Sequence, residues 1–176
     1  MEQRAVLARR QVLLGALALT TELEARAESA SALPLFVIAR SKNANVVHYD
    51  ARIRAGGRLD PDEPMVAYWV MQAENGRRES LTWLERRLAY GFESSFDARG
   101  ETLRVRLRAF SRRELQVRRD ASGGYRAEMR IGDRPAVLER IFVCTDESSV
   151  TPSVRYLDLT GRAVADRARV AERIRP

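Results

Sequence analysis

From residue 33 onward, apolar side chains recur at every second position. In "NVVHYDARI", Val47, Tyr49, Ala51 and Ile53 share one face while Val46, His48, Asp50 and Arg52 share the other; in "TLRVRLRAF", Leu103, Val105, Leu107 and Ala109 alternate with Thr102, Arg104, Arg106 and Arg108. A period of two marks a half-buried strand. Similar runs at Leu35–Arg40, Met65–Gln72, Glu114–Arg118, Tyr125–Ile131, Val137–Cys144 and Val154–Leu159 are separated by the turn sequences "RAGGRLDPDEP", "DASGG" and "IGDRP", which brings the expected strands to about eight. One stretch changes period. Leu81, Leu84 and Leu88 fall at i, i+3 and i+7, Ser80 is a suitable N-cap, Thr82 and Glu85 have capping-box spacing, and Gly91 can end the turn, so a packed helix is expected over 80–90. Residues 162–176 are charged nearly all round and read as a weak, helix-capable tail. Short strands, tight turns and a single helix predict a mainly β fold, an antiparallel barrel or two-sheet sandwich, in one domain over 33–161.

The N-terminal 32 residues differ. Arg4, Arg9 and Arg10 precede the apolar run "VLLGALAL", and Ala-x-Ala sites follow at Ala25–Ala27 and Ala30–Ala32. This order reads as an export signal over 1–32, with Arg9 and Arg10 resembling a twin-arginine pair although Ala8 replaces the usual hydroxyl residue. The run is too short to anchor a mature chain across a bilayer. The expectation is export, into the periplasm by the twin-arginine or the general secretory route; if the segment is instead an ordinary amphipathic helix, the chain stays in the cytoplasm.

Charge then enters. The net charge is +7 and Lys42 is the sole lysine among 31 basic residues. A basic surface attracts phosphates, anionic lipids and acidic glycans whichever cation supplies it. If apolar faces point inward, Arg104, Arg106 and Arg108 stand outside, joined by Arg118, Arg126 and Arg130 of later strands, with Glu114, Glu128, Asp120 and Asp133 at hand to dilute them. The turn "RSKNAN" offers a second candidate for a small anion or sugar, in which Arg40 and Lys42 supply charge and Asn43 and Asn45 supply amide donors and acceptors, beside the plainer reading of a hairpin. The expected partners are an anionic lipid, a glycan or a small phosphorylated ligand. Nucleic acid is disfavoured, because Phe110 and Tyr125 fall on or near the apolar face and leave the arginines without stacking partners.

Candidate catalytic chemistry is thin. His48, the only histidine, shares a strand face with Asp50, a spacing that suits an acid-oriented imidazole base in a small hydrolase or transferase, yet no G-x-S-x-G supplies a nucleophile. Cys144 is alone and sits in "RIFVCTD", which suggests a buried strand position. One histidine and one cysteine do not make a zinc site, "DPDEP" lacks the loop of a calcium site, and no cofactor is expected. In "AYWV", Tyr68 and Trp69 point to opposite faces, so at least one belongs to the core.

The segments "PLFVIARSKNANVVHYDARI", "PMVAYWV", "LERRLAYGF" and "SVRYLDLTGR" together resemble an uncharacterised bacterial family known only as a domain of unknown function. The likeness covers roughly Leu33 to Arg162 and is carried by Ser41, Lys42, Asn43, Asn45, Val47, Tyr49, Tyr68, Trp69, Ala89, Tyr90 and Gly91. The resemblance implies a small, often exported domain and supplies no activity. The preferred reading is a non-catalytic binding or accessory protein of the bacterial envelope; a nucleic-acid-binding β domain is the alternative if the N-terminus is no export signal.

Overall fold

The structure is a computed structural model that describes residues 31–146 and 153–175. The export signal expected over 1–32 lies outside the described residues except for Ser31 and Ala32, which open the first strand. Twelve strands follow: β1 (Ser31–Arg40), β2 (Asn43–Arg54), β3 (Arg58–Leu59), β4 (Met65–Met71), β5 (Arg77–Ser80), β6 (Phe92–Phe96), β7 (Leu103–Leu107), β8 (Phe110–Arg119), β9 (Tyr125–Ile131), β10 (Arg134–Asp146), β11 (Ser153–Ala163) and β12 (Arg169–Ile174). A short helix, α1 (Trp83–Leu88), joins β5 to β6. The fold is therefore mainly β, as the period-two pattern requires. All twelve strands belong to one sheet, ordered β5-β4-β2-β1-β10-β9-β8-β7-β6, with β3 added to β2 and with β11 and then β12 added beyond β10. The sheet curls into a half-barrel whose main path ends at β5 and β6.

The curl depends on β10. On one edge it pairs with β9 through residues 134–137 and then with β1 through 140–143. On the other edge β11 runs antiparallel beside it from Ala136 to Asp146. One strand thus feeds two diverging branches, and among the described residues β1–β10 is the sole parallel pair. The register of β10 against β11 shifts between Leu138 and Arg140, where the fork opens, and Gly161 lies opposite Leu138. A Cβ on Gly161 would stand 2.1 Å from the Val137 carbonyl oxygen and 3.0 Å from Ile131 Cδ1, so only glycine lets β11 pass this close.

The branches fold over a common core because each strand turns its apolar face inward. Val47, Tyr49, Ala51, Leu103, Val105, Leu107, Leu115 and Val117 are all essentially inaccessible. Tyr49 of β2 ties the branches together: its ring stacks on Phe36 at 4.5 Å, meets Phe92 of β6 edge-on at 6.3 Å, and its hydroxyl donates to the Tyr90 carbonyl at 2.7 Å. Burial pushes the Tyr49 hydroxyl far above the usual phenol range, so it stays a donor.

Four expectations are corrected. Among the described residues the strands number twelve rather than eight: β3 is two residues long, β5 ("RRES") is exposed throughout, and β6 ("FESSF") buries little, so none carries an apolar alternation. The tail is no helix, since β12 pairs with β11 from Leu157–Ile174 to Arg162–Arg169. Its alternation was hidden because Val170, Glu172 and Ile174 share the inner side, and Glu172 is charged. Cys144 is half-buried rather than buried. The helix starts at Trp83 with Thr82, not Ser80, as N-cap, and it buries none of its residues.

Glu172 earns its inner position through partners. Its two oxygens accept from Arg113 Nη1 and Nη2 of β8 at 2.6 Å each, and Oε2 also accepts from the Gly132 amide at 2.6 Å. The hydrogen bonds to Arg113, outweighing burial and helped by the Gly132 amide and the Arg113 charge, hold the carboxyl at about 2, well below its usual 4.5. A depressed carboxylate stabilises the fold fully above pH 4.5, and the contribution is lost as pH falls from there toward 2. Glu172→Gln is expected to lower unfolding free energy at neutral pH by about 1–3 kcal/mol. Urea titrations across that acid window should also show a shallower pH dependence for the variant than for the parent chain.

Candidate functional site

Helix α1 is held by polar contacts rather than by its leucines. The capping box forms as spaced: Glu85 N donates to Thr82 Oγ1 at 3.3 Å and Glu85 Oε2 accepts from Thr82 N at 2.8 Å. The other oxygen of Glu85 accepts from Trp69 Nε1 of β4 at 3.0 Å. These bonds outweigh the burial that would raise the Glu85 carboxyl and hold it below the usual range. At the helix end, Gly91 packs so tightly that a Cβ would lie 1.8 Å from the Arg86 carbonyl oxygen, and Tyr90 meets Trp69 edge-on at 5.0 Å. Of the expected apolar stripe only Leu81, just ahead of the helix, is buried. Trp83, Leu84 and Leu88 are 69%, 55% and 63% exposed. That corrects the expectation of a packed helix: the side chain of Glu85 does the docking, which frees the leucine face.

The exposed helix adjoins the arginine face. Trp83, Arg86, Arg87 and Arg108 line one hollow of about 360 Å³, with Leu81 and Phe92 at its base. Arg87 lies over the Trp83 ring at 5.4 Å, and Arg86 Nε donates to the Leu81 carbonyl; neither has a carboxylate partner among the described residues. Arg108, in the β7–β8 turn, pairs with Glu93 at 2.8 Å. From there the outer side of β7 carries Arg106 and Arg104, both exposed, and these share Glu114 at 3.9 Å each. Arg118 of β8 stands directly across from Arg126 of β9, and its side chain bonds Gln116 and no other group among the described residues, while Arg126 is paired with Glu128 at 2.6 Å. Arg130 donates to the Asp133 carbonyl at 2.8 Å. Asp120 makes no ion pair on this face among the described residues; its carboxylate accepts from Ser122 and Gly124 within its own turn, and its charge acts on Arg126 only at a distance.

The turn after β1 is occupied with its own structure. Asn43 Oδ1 accepts from Arg40 Nε and from the Asn45 amide, and Asn45 Oδ1 accepts from the Gln72 amide at 3.1 Å. Arg40 lies over the Trp69 ring at 4.6 Å. Lys42 stands exposed at the tip. Asn43 therefore spends its acceptor within the turn, and Asn45 spends its own on joining β2 to the segment after β4, as a structural hairpin requires.

His48 and Asp50 do share a face of β2, but they are not hydrogen-bonded to each other. Asp50 is 2% exposed; its Oδ2 accepts from the Tyr68 hydroxyl of β4 at 2.6 Å, and its Oδ1 has no partner among the described residues. Burial, supported by the Asp50 contact, raises Tyr68 to about 12. Arg78 of β5 lies over the Tyr68 ring at 4.6 Å, and the His48 ring stacks with Tyr68 at 5.8 Å. Partial burial lowers the His48 imidazole below 6.5 against the pull of Asp50, and the Arg78 charge lowers it further, so it is neutral at pH 7. No serine, threonine or cysteine is hydrogen-bonded to this imidazole among the described residues. Nor do three His, Cys, Asp or Glu side chains converge there to hold a metal.

Together these features define a small, mainly β domain that presents a solvent-facing amphipathic helix beside an arginine-bearing sheet face. The chain belongs to the DUF4833 family, a domain of unknown function, which matches residues 36–173. No curated protein and no solved structure matches it. Sequence reasoning placed the sheet arginines but missed Trp83, because periodicity assigns a leucine stripe to the core without asking what else docks the helix. Arg78 and Tyr68 were missed as partners of His48 and Asp50, since the pairing of β4 with β5 carries no sequence signal.

The Asp50 contact makes a direct prediction. Tyr68→Phe leaves a buried carboxylate with neither oxygen bonded and should lower stability by about 1–3 kcal/mol. Adding Asp50→Asn removes the charge that was stranded, so thermal or urea unfolding of the double variant should show a smaller loss than the two single losses summed.

Proposed function

We propose that this domain is a non-catalytic, exported binding protein of the bacterial envelope that docks on an anionic lipid surface. The observation that carries the reading is the exposure of Trp83, Leu84 and Leu88 on a helix that also presents Arg86 and Arg87. Monomeric soluble folds seldom leave a tryptophan and two leucines grouped in water. Indole and leucine side chains favour the boundary between headgroups and acyl chains, while flanking arginines meet lipid phosphates. The sheet face extends the same chemistry, because Arg108 joins the helix hollow to Arg106 and Arg104, and five arginines (104, 106, 118, 126 and 130) stand against Glu114 and Glu128. Between lipid, glycan and free phosphate, the apolar helix favours lipid, since a soluble glycan or phosphate has no use for it. The net +7 charge supports attraction at a distance. No helix among the described residues is long and apolar enough to cross a membrane, so in this reading the contact is peripheral.

Co-sedimentation with vesicles tests the proposal. Binding to phosphatidylglycerol-containing vesicles should exceed binding to pure phosphatidylcholine and should weaken as salt rises. Trp83→Ala and Leu88→Ala should each weaken it about tenfold, the equivalent of roughly 1.4 kcal/mol of lost apolar burial, and Arg106→Glu should weaken it while flattening the salt dependence. Equal, salt-independent binding to both vesicle types, or no binding to either, would overturn the reading.

A further inference from the structure

The end of the half-barrel remote from α1 holds a second cluster of cations. It forms where three connections meet: residues 55–57 between β2 and β3, residues 97–102 between β6 and β7, and residues 120–124 between β8 and β9. Two hollows of about 470 and 530 Å³ adjoin there, and Arg58, Glu101 and Tyr125 line both. The first is walled by Leu59, Phe96 and the Tyr125 ring, which give it an apolar side. The second is walled by Arg58, Arg118 and Arg119, three guanidinium groups without a carboxylate partner among the described residues. Glu101 is the one acid on its wall.

The cations are arranged differently from those on the sheet face. The backbone of Arg58 pairs with Arg54 of β2, but its side chain makes no hydrogen bond, ion pair or ring contact among the described residues, so its charge is not spent on the fold. Arg119 is fixed in place: its Nε donates to the Gly123 carbonyl at 3.2 Å, and its Nη2 lies 3.1 Å from where a Cβ on Gly57 would stand and 3.6 Å from the same point on Gly123. Both glycines therefore leave room for the guanidinium between two turns, where its terminal nitrogens remain available. Tyr125 closes the floor by donating its hydroxyl to the Gly57 carbonyl at 3.3 Å, which turns its ring toward the apolar side. A preset guanidinium loses less freedom on binding than a mobile one.

From this we infer that the cleft between the three turns binds an organic phosphate monoester, with the phosphate among Arg58, Arg118 and Arg119 and a compact apolar body against Leu59, Phe96 and Tyr125. Three guanidinium groups against one carboxylate suit a dianion better than a singly charged carboxylate, and their forked donors match phosphate oxygens. The adjoining apolar wall distinguishes this ligand from inorganic phosphate. The site lies away from the helix, shares only Arg118 with the sheet face and does not rest on the membrane reading; either can fail alone.

Phenyl phosphate is the probe, titrated into the full chain and followed by calorimetry and by amide shifts in ¹H–¹⁵N spectra. The expected result is saturable binding with shifts confined to residues 56–59, 100–102 and 118–125. Phenol, inorganic phosphate and benzoate should each bind about tenfold more weakly or worse. Arg58→Gln should weaken phenyl phosphate about tenfold, and because Arg58 holds nothing in place the variant keeps the fold. Trp83→Ala should leave this affinity unchanged whatever it does to vesicle binding. The inference is overturned by the absence of saturable binding, by inorganic phosphate or benzoate binding as tightly as phenyl phosphate, or by Arg58→Gln having no effect.

Discussion

The change of partner along one edge of β10 shapes this molecule. Each residue of β10 must place its amide and carbonyl against another backbone, and the strand does so by changing partner along one edge, from β9 to β1, while β11 follows the other edge. A strand that keeps one neighbour per edge builds a smooth sheet; one that switches neighbours makes two branches leave at an angle. The bulge beyond Leu138 and the bare backbone of Gly161 make the switch sterically feasible. Once the branches diverge, their apolar faces have only each other to bury against. Tyr49 shows the result, since its ring and hydroxyl touch groups from both sides of the fork.

The same constraint determines what is left for the surface. Inward-facing alternate positions are consumed by the core, so the guanidinium groups of β7 to β9 are turned out, where cross-strand glutamates balance some of them and not others. Helix α1 is too short to fold alone, and it is fastened through Glu85 to Thr82 and Trp69. Because a carboxylate does the fastening, the helix contributes no apolar side chain to the core and presents Trp83, Leu84 and Leu88 outward. At the opposite end the three turns gather Arg58, Arg118 and Arg119 simply because β2, β6 and β8 end there.

Legibility in the sequence followed burial. Strands with one buried face, such as β2, β7 and β9, were readable because alternation is a direct consequence of one side meeting the core. Strands β5 and β6 were not, because an edge strand needs only one hydrogen-bonded neighbour and imposes no pattern on its side chains. Strand β12 was disguised by Glu172, an acid at an inward position made tolerable by Arg113 and the Gly132 amide. Of the candidate sites, the outward arginines 104 and 106 could be read from spacing, as could the hairpin at Asn43 and Asn45. The exposure of the α1 leucines could not, since it depends on Glu85 reaching Trp69 across elements that sequence spacing does not connect. The gathering of Arg58 with Arg119 was equally hidden, because residues 58 and 119 meet only after the fork has brought the two branches together.

The central claim is that the fork at β10 makes both branches one cooperative unit. Native-state hydrogen exchange measures it directly, by comparing the opening free energies of amides in β1 and β2, in β8 and β9, and in residues 136–143 of β10. The account predicts that the slowest amides of all three groups exchange at the same free energy, that of global unfolding. Slow exchange in β10 and one branch, with the other branch opening at a clearly lower free energy, would contradict it.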